Sequence, residues 1–133
     1  MLGWLTHDAL LDWMNRARCL VFPSLVYECL PMSVIEAMQQ GLPALVSDRS
    51  AASELVRHDA DGLHVATGDV RAWANAMRLL SEPERVERYS LSSFEASQDF
   101  LDPESYGRRL LAIYQNAAVA QRRERLEKGM RRH

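Results

Sequence analysis

Short apolar runs alternate with amphipathic stretches along the first half of the chain. The runs cover residues 19–22, 43–47 and 62–66, and each is only four or five residues long. Brief, almost unbroken apolar runs are typical of strands in a parallel sheet that is covered on both faces. Because helical patterns separate strands about twenty residues apart, we predict an α/β fold with a Rossmann-like parallel sheet of about three strands.

Capping signals delimit the helices between these strands. Thr6 precedes a stretch whose apolar residues recur at helical spacing, so it is a candidate N-cap. Pro31 opens the next helix at its first position, and Gly41 follows its last residue. A further short helix is predicted over residues 51–57, after the second strand. The sheet is therefore expected to have helices on both sides.

The second half of the chain has no strand pattern and is predicted to be helical. Asp69 caps one helix, residues 82–94 form a weaker one, and Asp102-Pro103 begin a longer one. We expect the apolar stripes of these helices, and the three tryptophans, to pack in the core. The stripe residues and tryptophans are Val70, Trp73, Met77, Leu80, Val86, Tyr89, Tyr106, Leu110, Ile113, Tyr114, Ala117, Trp4 and Trp13.

The amino-acid composition then narrows the class of protein. A chain of 133 residues that is 47% apolar and 26% charged can bury a core without disulfides, which excludes a disordered tail or a disulfide-framework mini-protein. No window approaches 18 apolar residues, and His7 and Asp8 interrupt the place of a signal peptide. We therefore expect a cytoplasmic protein. Cys19 and Cys29 are expected to be buried, reduced thiols.

Charge is unevenly spread, although the chain holds 16 basic and 18 acidic residues. Residues 121–133 carry six basic and two acidic groups. Such a segment is typical of a solvated, fraying helix end, or of one that contacts anionic lipid or nucleic acid. We divide the chain into a nucleotide-sugar-binding part, 1–120, and a basic helical tail, 121–133. The tail would allow peripheral membrane contact, and no nucleic-acid partner is expected.

Two carboxylates mark the candidate site. Glu36 is the only charged residue of its predicted helix, and it must face water or meet hydrogen-bond donors because burying it unpaired is costly. Glu28 lies eight residues earlier, in the loop that follows the first strand. In an open parallel sheet such a loop lies at the carboxyl ends of the strands, where ligands bind.

A nucleotide diphospho-sugar fits this arrangement. The first N–H groups of the helix that begins near Pro31 lack intrahelical partners and attract a diphosphate. Glu36, about 7–8 Å along that helix, could accept hydrogen bonds from ribose hydroxyls, and Glu28 from hydroxyls of the sugar. Neither a three-ligand metal site nor a Ser-His-Asp set can be assembled from the spacing.

These residues also carry a family resemblance. The run Pro23-Ser24, Glu28-x7-Glu36-Ala37-Met38-x2-Gly41-x-Pro43 resembles the signature of retaining glycosyltransferases of the GT-B fold, glycosyltransferase family 4, in the glycosyl transferases group 1 domain. The resemblance extends over residues 3–117, along the second half of the donor-binding C-terminal domain. It continues through Ser47-Asp48, Glu54-Leu55-Val56, Asp61-Gly62-Leu63, Gly68-Asp69 and Leu111-Ala112-Ile113-Tyr114.

The resemblance implies an activity and a set of roles. The chain would belong to a hexosyltransferase that uses a nucleotide-diphospho-sugar donor, retains the anomeric configuration and requires no metal or other cofactor. Glu28 would contact the transferred sugar as the catalytic residue, and Glu36 the ribose. Backbone N–H groups of Cys29 and Leu30 would lie near the sugar and phosphates, and Pro31 completes the donor-binding set.

The sequence also departs from the family pattern. Cys29-Leu30-Pro31 stand where the family usually has glycines, and residues 49–53 replace a Gly-Gly pair. The basic pair that clamps the diphosphate has no counterpart, since Arg18 and Arg49 are expected at the surface. The acceptor-binding domain is also missing. We therefore expect a truncated or split enzyme that is inactive alone.

Two other functions remain open at this stage. One is an interaction module, a split subunit or remnant that docks on a partner, or on a second copy, supplying the rest of the fold. The other is a flavodoxin-like nucleotide-binding domain, which the lack of a glycine-rich phosphate loop disfavours.

Overall fold

The computed structural model describes residues 3–130, including the side chains of residues 3–98 and 102–124. Along these residues helices and strands alternate as the sequence predicts, and helices then follow one another. The elements are α1 (His7–Arg16), β1 (Leu20–Phe22), α2 (Met32–Gln39), β2 (Ala44–Ser47), α3 (Ala52–Leu55), β3 (Gly62–Val65), α4 (Val70–Leu79), α5 (Pro83–Leu101) and α6 (Pro103–Met130).

The three strands form one parallel sheet in the order β1-β2-β3. Leu20 pairs with Ala44, and Ser47 pairs with Val65. The predicted α/β fold with three parallel strands and flanking helices is thus confirmed. Gly62 lies in the tightest part of the sheet, where a Cβ atom would come within 1.9 Å of the Ala44 carbonyl oxygen.

Successive residues of β2 enter different apolar clusters because side chains alternate across a strand. Leu45 packs with Trp73 of α4 and Tyr89 of α5 on one face. Ala44 and Val46 lie in a second cluster on the other face. That second cluster adds Val34, Met38, Ala52 and Val56, from α2, α3 and the residue after α3. Both faces are covered, which explains why the strands read as nearly continuous apolar runs.

Residues 1–98 and 99–133 form two compact units. The first contains the sheet and its helices, and the second consists largely of α6. Helix α6 runs without interruption through residue 120, where the sequence suggested a division, and residues 131–133 of the tail lie outside the described residues.

Several side chains expected in the core are exposed. Trp73 is buried, but Trp4 and Trp13 are exposed. Helix α1 turns Met14 inward and leaves Trp13 at the surface, where the Arg16 guanidinium lies 5.2 Å from the centroid of its ring. Within the described part of the second unit, no sheet faces the stripe of α6. Its residues Tyr106, Ile113 and Tyr114 are consequently exposed, as are Val70 and Met77 of α4.

Within the described residues, no helix combines the length and apolarity needed to span a membrane.

Candidate functional site

The loops that leave the carboxyl ends of the three strands lie at one edge of the sheet. The longest, residues 23–31, carries Glu28 and leads into α2, which carries Glu36. Helix α1 leads into the amino end of β1, and its own start lies at the opposite edge of the sheet. The first residue of α1, His7, is therefore at the same edge as Glu36. This edge combines the two predicted carboxylates with the start of a helix.

Glu28 is held by a residue of its own loop. The Ser24 hydroxyl donates to Glu28 Oε1 at 2.9 Å, and Ser24 Oγ also accepts from the Val26 N–H at 3.3 Å. Glu28 is partly buried in this position. No nucleophile motif surrounds Ser24 in the sequence, and in the structure its hydroxyl contacts the Glu28 carboxylate.

Glu36 is the one acidic residue on a helix whose neighbouring residues are buried. Val34 and Met38 pack in the core, whereas the Glu36 side chain keeps 24% of its surface exposed. Its Oε1 lies 3.9 Å from Nδ1 of His7. The Glu36 carboxylate thus stays in partial contact with water and has the His7 ring nearby, in agreement with the requirement that it not be buried unpaired.

Helix α2 begins one residue later than predicted. Pro31 adopts φ −80° and ψ 85°, so it occupies the N-cap rather than the first helical position, and its carbonyl accepts from the Val34 N–H at 3.0 Å. No side chain caps this end. At the other end Gly41 has the expected left-handed backbone, with φ +66°. The start of α2 therefore has no side-chain cap, although the Met32 N–H donates to the Leu30 carbonyl at 3.0 Å.

The loop residues next to Glu28 differ in exposure. Cys29 and Leu30 are exposed, and Pro31 is buried. The expectation of two buried thiols is therefore wrong for Cys29, because it lies in the loop and not against the sheet. Cys19 precedes β1 and is half-buried, and this burial raises the pKa of its thiol.

A long-range hydrogen bond connects the Glu28 loop to α3. The Tyr27 hydroxyl donates to Oε1 of Glu54, and both side chains are exposed. This hydrogen bond and the charge of the carboxylate raise the pKa of Tyr27. Nothing in the spacing of the two residues indicated this contact, which the fold creates by placing α3 beside the loop.

The loops after β2 and β3 are joined to each other. Asp48 Oδ1 accepts from the Thr67 N–H at 2.9 Å and from the Thr67 hydroxyl at 2.6 Å, and these bonds lower the pKa of Asp48. Ser47, just before, is buried and its hydroxyl has no hydrogen-bond partner among the described residues. The sequence had matched Ser47-Asp48 only as part of a family pattern.

The two arginines considered for the diphosphate lie at different ends of the sheet. Arg49 is exposed in the loop after β2, at the same edge as Glu28. Arg18 precedes β1 at the opposite edge and donates from Nη1 to the Ser81 carbonyl at 3.0 Å. Both are surface residues, as predicted, and Arg49 alone lies at the end of the sheet that carries the site.

Among the described residues, no three His, Cys, Asp or Glu side chains are grouped to hold a metal ion. His58 and His64 have other partners: His58 Nδ1 accepts from the His64 N–H at 2.9 Å, and His64 Nε2 donates to the Val56 carbonyl at 2.6 Å. One ring nitrogen of each imidazole is engaged in these bonds.

Two surface clefts, of about 390 and 340 Å³, lie away from Glu28 and Glu36. One is between the end of α1 and the start of α5, and the other runs along β3 and α4.

The fold is that of the GT-B glycosyltransferases. Over 90% of the chain it matches sucrose-phosphate synthase from Thermosynechococcus elongatus, with a TM-score of 0.74 and 28% sequence identity, across 30% of that chain. HepE from Anabaena, solved in complex with UDP and glucose, shares the fold at a TM-score of 0.74 with 18% identity, over 86% of this chain and 31% of that one.

The sequence profile of the family Glycosyl transferases group 1 matches residues 1–82, and the chain belongs to this family. Over 91 residues it is 33% identical to an exopolysaccharide phosphotransferase of Streptomyces coelicolor, which corresponds to 67% of this chain and 10% of the relative. The amylovoran biosynthesis glycosyltransferase AmsK of Erwinia amylovora is 29% identical over 89 residues, 63% of this chain and 22% of the relative.

A third relative is the UDP-Gal:α-D-GlcNAc-diphosphoundecaprenol α-1,3-galactosyltransferase of Escherichia coli, which is 30% identical over 77 residues, 58% of this chain and 19% of the relative. The chain thus spans less than a third of the length of each of these proteins. Family membership confirms the resemblance to the glycosyl transferases group 1 domain and favours a glycosyltransferase over a flavodoxin-like domain or a pure interaction module.

Proposed function

We propose that the chain forms the donor-binding part of a retaining glycosyltransferase that uses a nucleotide-diphospho-sugar. The observation that carries the proposal is the position of Glu28 and Glu36. They lie on consecutive parts of the chain at the carboxyl edge of the sheet, on either side of the uncapped start of α2. Open parallel sheets bind their ligands at this edge.

The diphosphate would lie at the start of α2. The first N–H groups of a helix carry the positive end of its dipole, and here the N-cap residue, Pro31, makes no side-chain hydrogen bond to them. The exposed backbone at Cys29 and Leu30 extends this surface toward the sugar, and the buried Pro31 fixes the direction in which the helix begins. These groups would stabilise the negative charge of the departing diphosphate.

Glu36 would bind the ribose. It lies one turn from the start of α2, about 6 Å along the helix axis, which suits the distance from a diphosphate to the ribose hydroxyls. His7 at 3.9 Å would keep its carboxylate at the surface and also leave the second oxygen for the ligand. A carboxylate that accepts from two hydroxyls is well matched to a vicinal diol.

Glu28 would act on the sugar. Ser24 donates to one oxygen of Glu28, so the other oxygen can accept from a sugar hydroxyl. During transfer the bond between the anomeric carbon and the diphosphate oxygen breaks, and the diphosphate leaves with the electron pair. The acceptor oxygen forms the new bond on the same face, and its hydroxyl proton passes to an oxygen of the departing diphosphate. In this scheme Glu28 orients and stabilises the sugar and forms no covalent bond with it.

Uridine diphosphate sugars are the first donors to test. HepE was solved with UDP and glucose, and the Escherichia coli relative is named for a UDP-galactose donor. Hexosyl transfer of this kind needs an acceptor site facing Glu28. We propose that another domain, a protein partner or a second copy supplies it, and that the chain alone binds donor without transferring sugar. We further propose a cytoplasmic location, with membrane contact through the basic tail.

Calorimetry tests the donor site. The ligands are UDP, GDP and ADP and their glucose conjugates, and the proteins are the unaltered chain, Glu36→Ala, Glu28→Ala and Glu95→Ala. We expect Glu36→Ala to weaken binding of both the nucleoside diphosphate and its sugar about tenfold, because it removes hydrogen bonds to a charged group. Glu28→Ala should weaken only the nucleotide sugar.

Glu95 is an exposed carboxylate of α5, distant in sequence from the site, and its replacement serves as the matched control. The donor assignment is wrong if no ligand of the panel binds, or if Glu36→Ala binds as the unaltered chain does.

A further inference from the structure

The contact between Tyr27 and Glu54 joins two parts of the chain 27 residues apart. Tyr27 immediately precedes Glu28 in the loop after β1, and Glu54 lies on α3, which follows β2. The phenolic hydroxyl donates to the carboxylate, so the bond is charge-assisted and stronger than one between neutral groups.

Side-chain packing does little to hold this loop against the rest of the fold. Leu25, Val26 and Leu30 are exposed and add little packing. Ser24 forms its hydrogen bonds within the loop, with Val26 and Glu28. Among the side-chain hydrogen bonds of the described residues, the one from Tyr27 to Glu54 is therefore what ties this loop to another element of the fold.

Glu54 lies on a helix that is packed against the rest of the fold. Ala52 and Val56, on either side of it, are buried in the cluster that packs α2 and α3 against the sheet. The exposed Glu54 carboxylate is thus attached to a rigid turn of helix, although its own side chain faces solvent. The same carboxylate raises the pKa of Tyr27, whose hydroxyl is protonated at neutral pH and can donate.

We infer that Tyr27 and Glu54 are a positioning pair, which holds the β1–α2 loop so that Glu28 faces the sugar of the bound donor. The inference rests on the proposed donor site and adds the residues that set its geometry. Because Cys29-Leu30-Pro31 contain no glycine, the loop is stiff beyond Glu28, and an anchor just before Glu28 fixes the carboxylate from the other side.

Binding of UDP and UDP-glucose to single variants tests this pair. Tyr27→Phe and Glu54→Ala should each weaken UDP-glucose about fivefold, the effect of losing one hydrogen bond of this kind, and leave UDP within about twofold. Glu54→Gln retains an acceptor oxygen and should bind UDP-glucose much as the unaltered chain does. Tyr106→Phe is the matched control, since Tyr106 is 62% exposed and Tyr27 66%.

A double-mutant comparison separates positioning from direct contact. In a Glu28→Ala background, Tyr27→Phe should have no further effect on UDP-glucose, because there is no carboxylate left to position. A full additional loss in that background would mean that Tyr27 contacts the sugar itself and would overturn the inference. Unchanged UDP-glucose binding by Tyr27→Phe and Glu54→Ala would also overturn it.

The same measurements distinguish a failure of the positioning pair from a failure of the proposed donor site. If UDP binds in a Glu36-dependent way while the Tyr27 and Glu54 variants behave as the unaltered chain, the positioning pair is wrong and the donor site stands. If neither UDP nor UDP-glucose, nor the guanosine and adenosine analogues, binds the unaltered chain, both are wrong. Thermal unfolding of each variant confirms that the fold is retained.

Discussion

The Asp61 carboxylate is fully buried and is enclosed by Arg57. Nε and Nη2 of Arg57 donate to its two oxygens, each at 2.7 Å, and the Arg57 N–H adds a third bond at 3.1 Å. The Ser92 hydroxyl of α5 donates to Oδ1 at 2.8 Å. The connection between α3 and β3 is thereby fastened to α5, outside the candidate site.

Removing either partner of this pair should destabilise the first unit. Arg57→Ala leaves the buried Asp61 carboxylate without its guanidinium, and Asp61→Ala removes the acceptor that Arg57 and Ser92 share. Each substitution should lower the unfolding free energy, measured with urea, by about 3 kcal/mol. Arg108→Ala is the control, since Arg108 and Glu104 form an exposed pair on α6 worth less than about 1 kcal/mol. Equal losses for Arg57→Ala and Arg108→Ala would contradict the prediction.

Acid should unfold the chain through two aspartates that share this region. Burial alone would raise the pKa of Asp61, but its bonds to Arg57 and Ser92 outweigh burial and lower the pKa. A hydrogen bond from Tyr89, with Arg88 and Arg85 nearby, lowers the pKa of Asp59. A carboxylate with a depressed pKa in the fold stabilises it above the unfolded value of about 3.9, and this stabilisation is lost as pH falls through the folded pKa.

The unfolding free energy should therefore be steady between about pH 7 and 5 and fall below about pH 4. Asp59→Asn and Asp61→Asn, measured by urea unfolding across this range, should each have a shallower acid slope than the unaltered chain. The same slope in all three proteins would show that other carboxylates control acid unfolding.

Two glycines should respond to alanine in opposite ways. Gly62→Ala puts a Cβ atom 1.9 Å from the Ala44 carbonyl oxygen, so β2 and β3 must separate at a cost of about 3 kcal/mol or more. Gly107 lies inside α6 with nothing within 4 Å of an added Cβ atom, and alanine there should stabilise the helix by about 0.5–1 kcal/mol. Thermal unfolding followed by circular dichroism measures both changes, and a fully stable Gly62→Ala would refute the close approach.

The two thiols should react at different rates with a disulfide reagent. Cys29 is exposed, whereas Cys19 is half-buried and its burial raises its pKa, which lowers the fraction of reactive thiolate. Near pH 8 we expect one fast and one slow thiol, about tenfold apart. Cys29→Ser should remove the fast phase and Cys19→Ser the slow one. A fast phase that survives in Cys29→Ser would place Cys19 at the surface.

Sequence patterns were sufficient to predict the strands of the sheet and the residues near which the helices begin. The strands alternate with helices because both sheet faces are covered, and such burial leaves a visible apolar run. Thr6 and Asp69 cap their helices, accepting from backbone N–H groups as the sequence indicated. The shift of Pro31 to the N-cap is one residue, which a local pattern does not resolve.

Contacts between residues far apart in the sequence could not be predicted from those patterns. Nothing local relates His7 to Glu36, or Tyr27 to Glu54, since the fold brings each pair together across 27 residues or more. The apolar stripe of α6 has the spacing of a buried face, yet burial also requires a second surface, and periodicity on one helix gives no information about that surface. The roles of Glu28 and Glu36 stay a prediction until ligand binding is measured.

The match between strand order and chain order affects how the protein folds during synthesis. Each strand pairs with the next one along the chain, so the sheet can grow in the direction in which residues leave the ribosome. Pairing β1 with β2, and then β2 with β3, closes loops of only about twenty residues, which is entropically cheap. The bond from Ser92 to Asp61 requires α5, which follows all three strands along the chain, so it fastens strands that can already have paired.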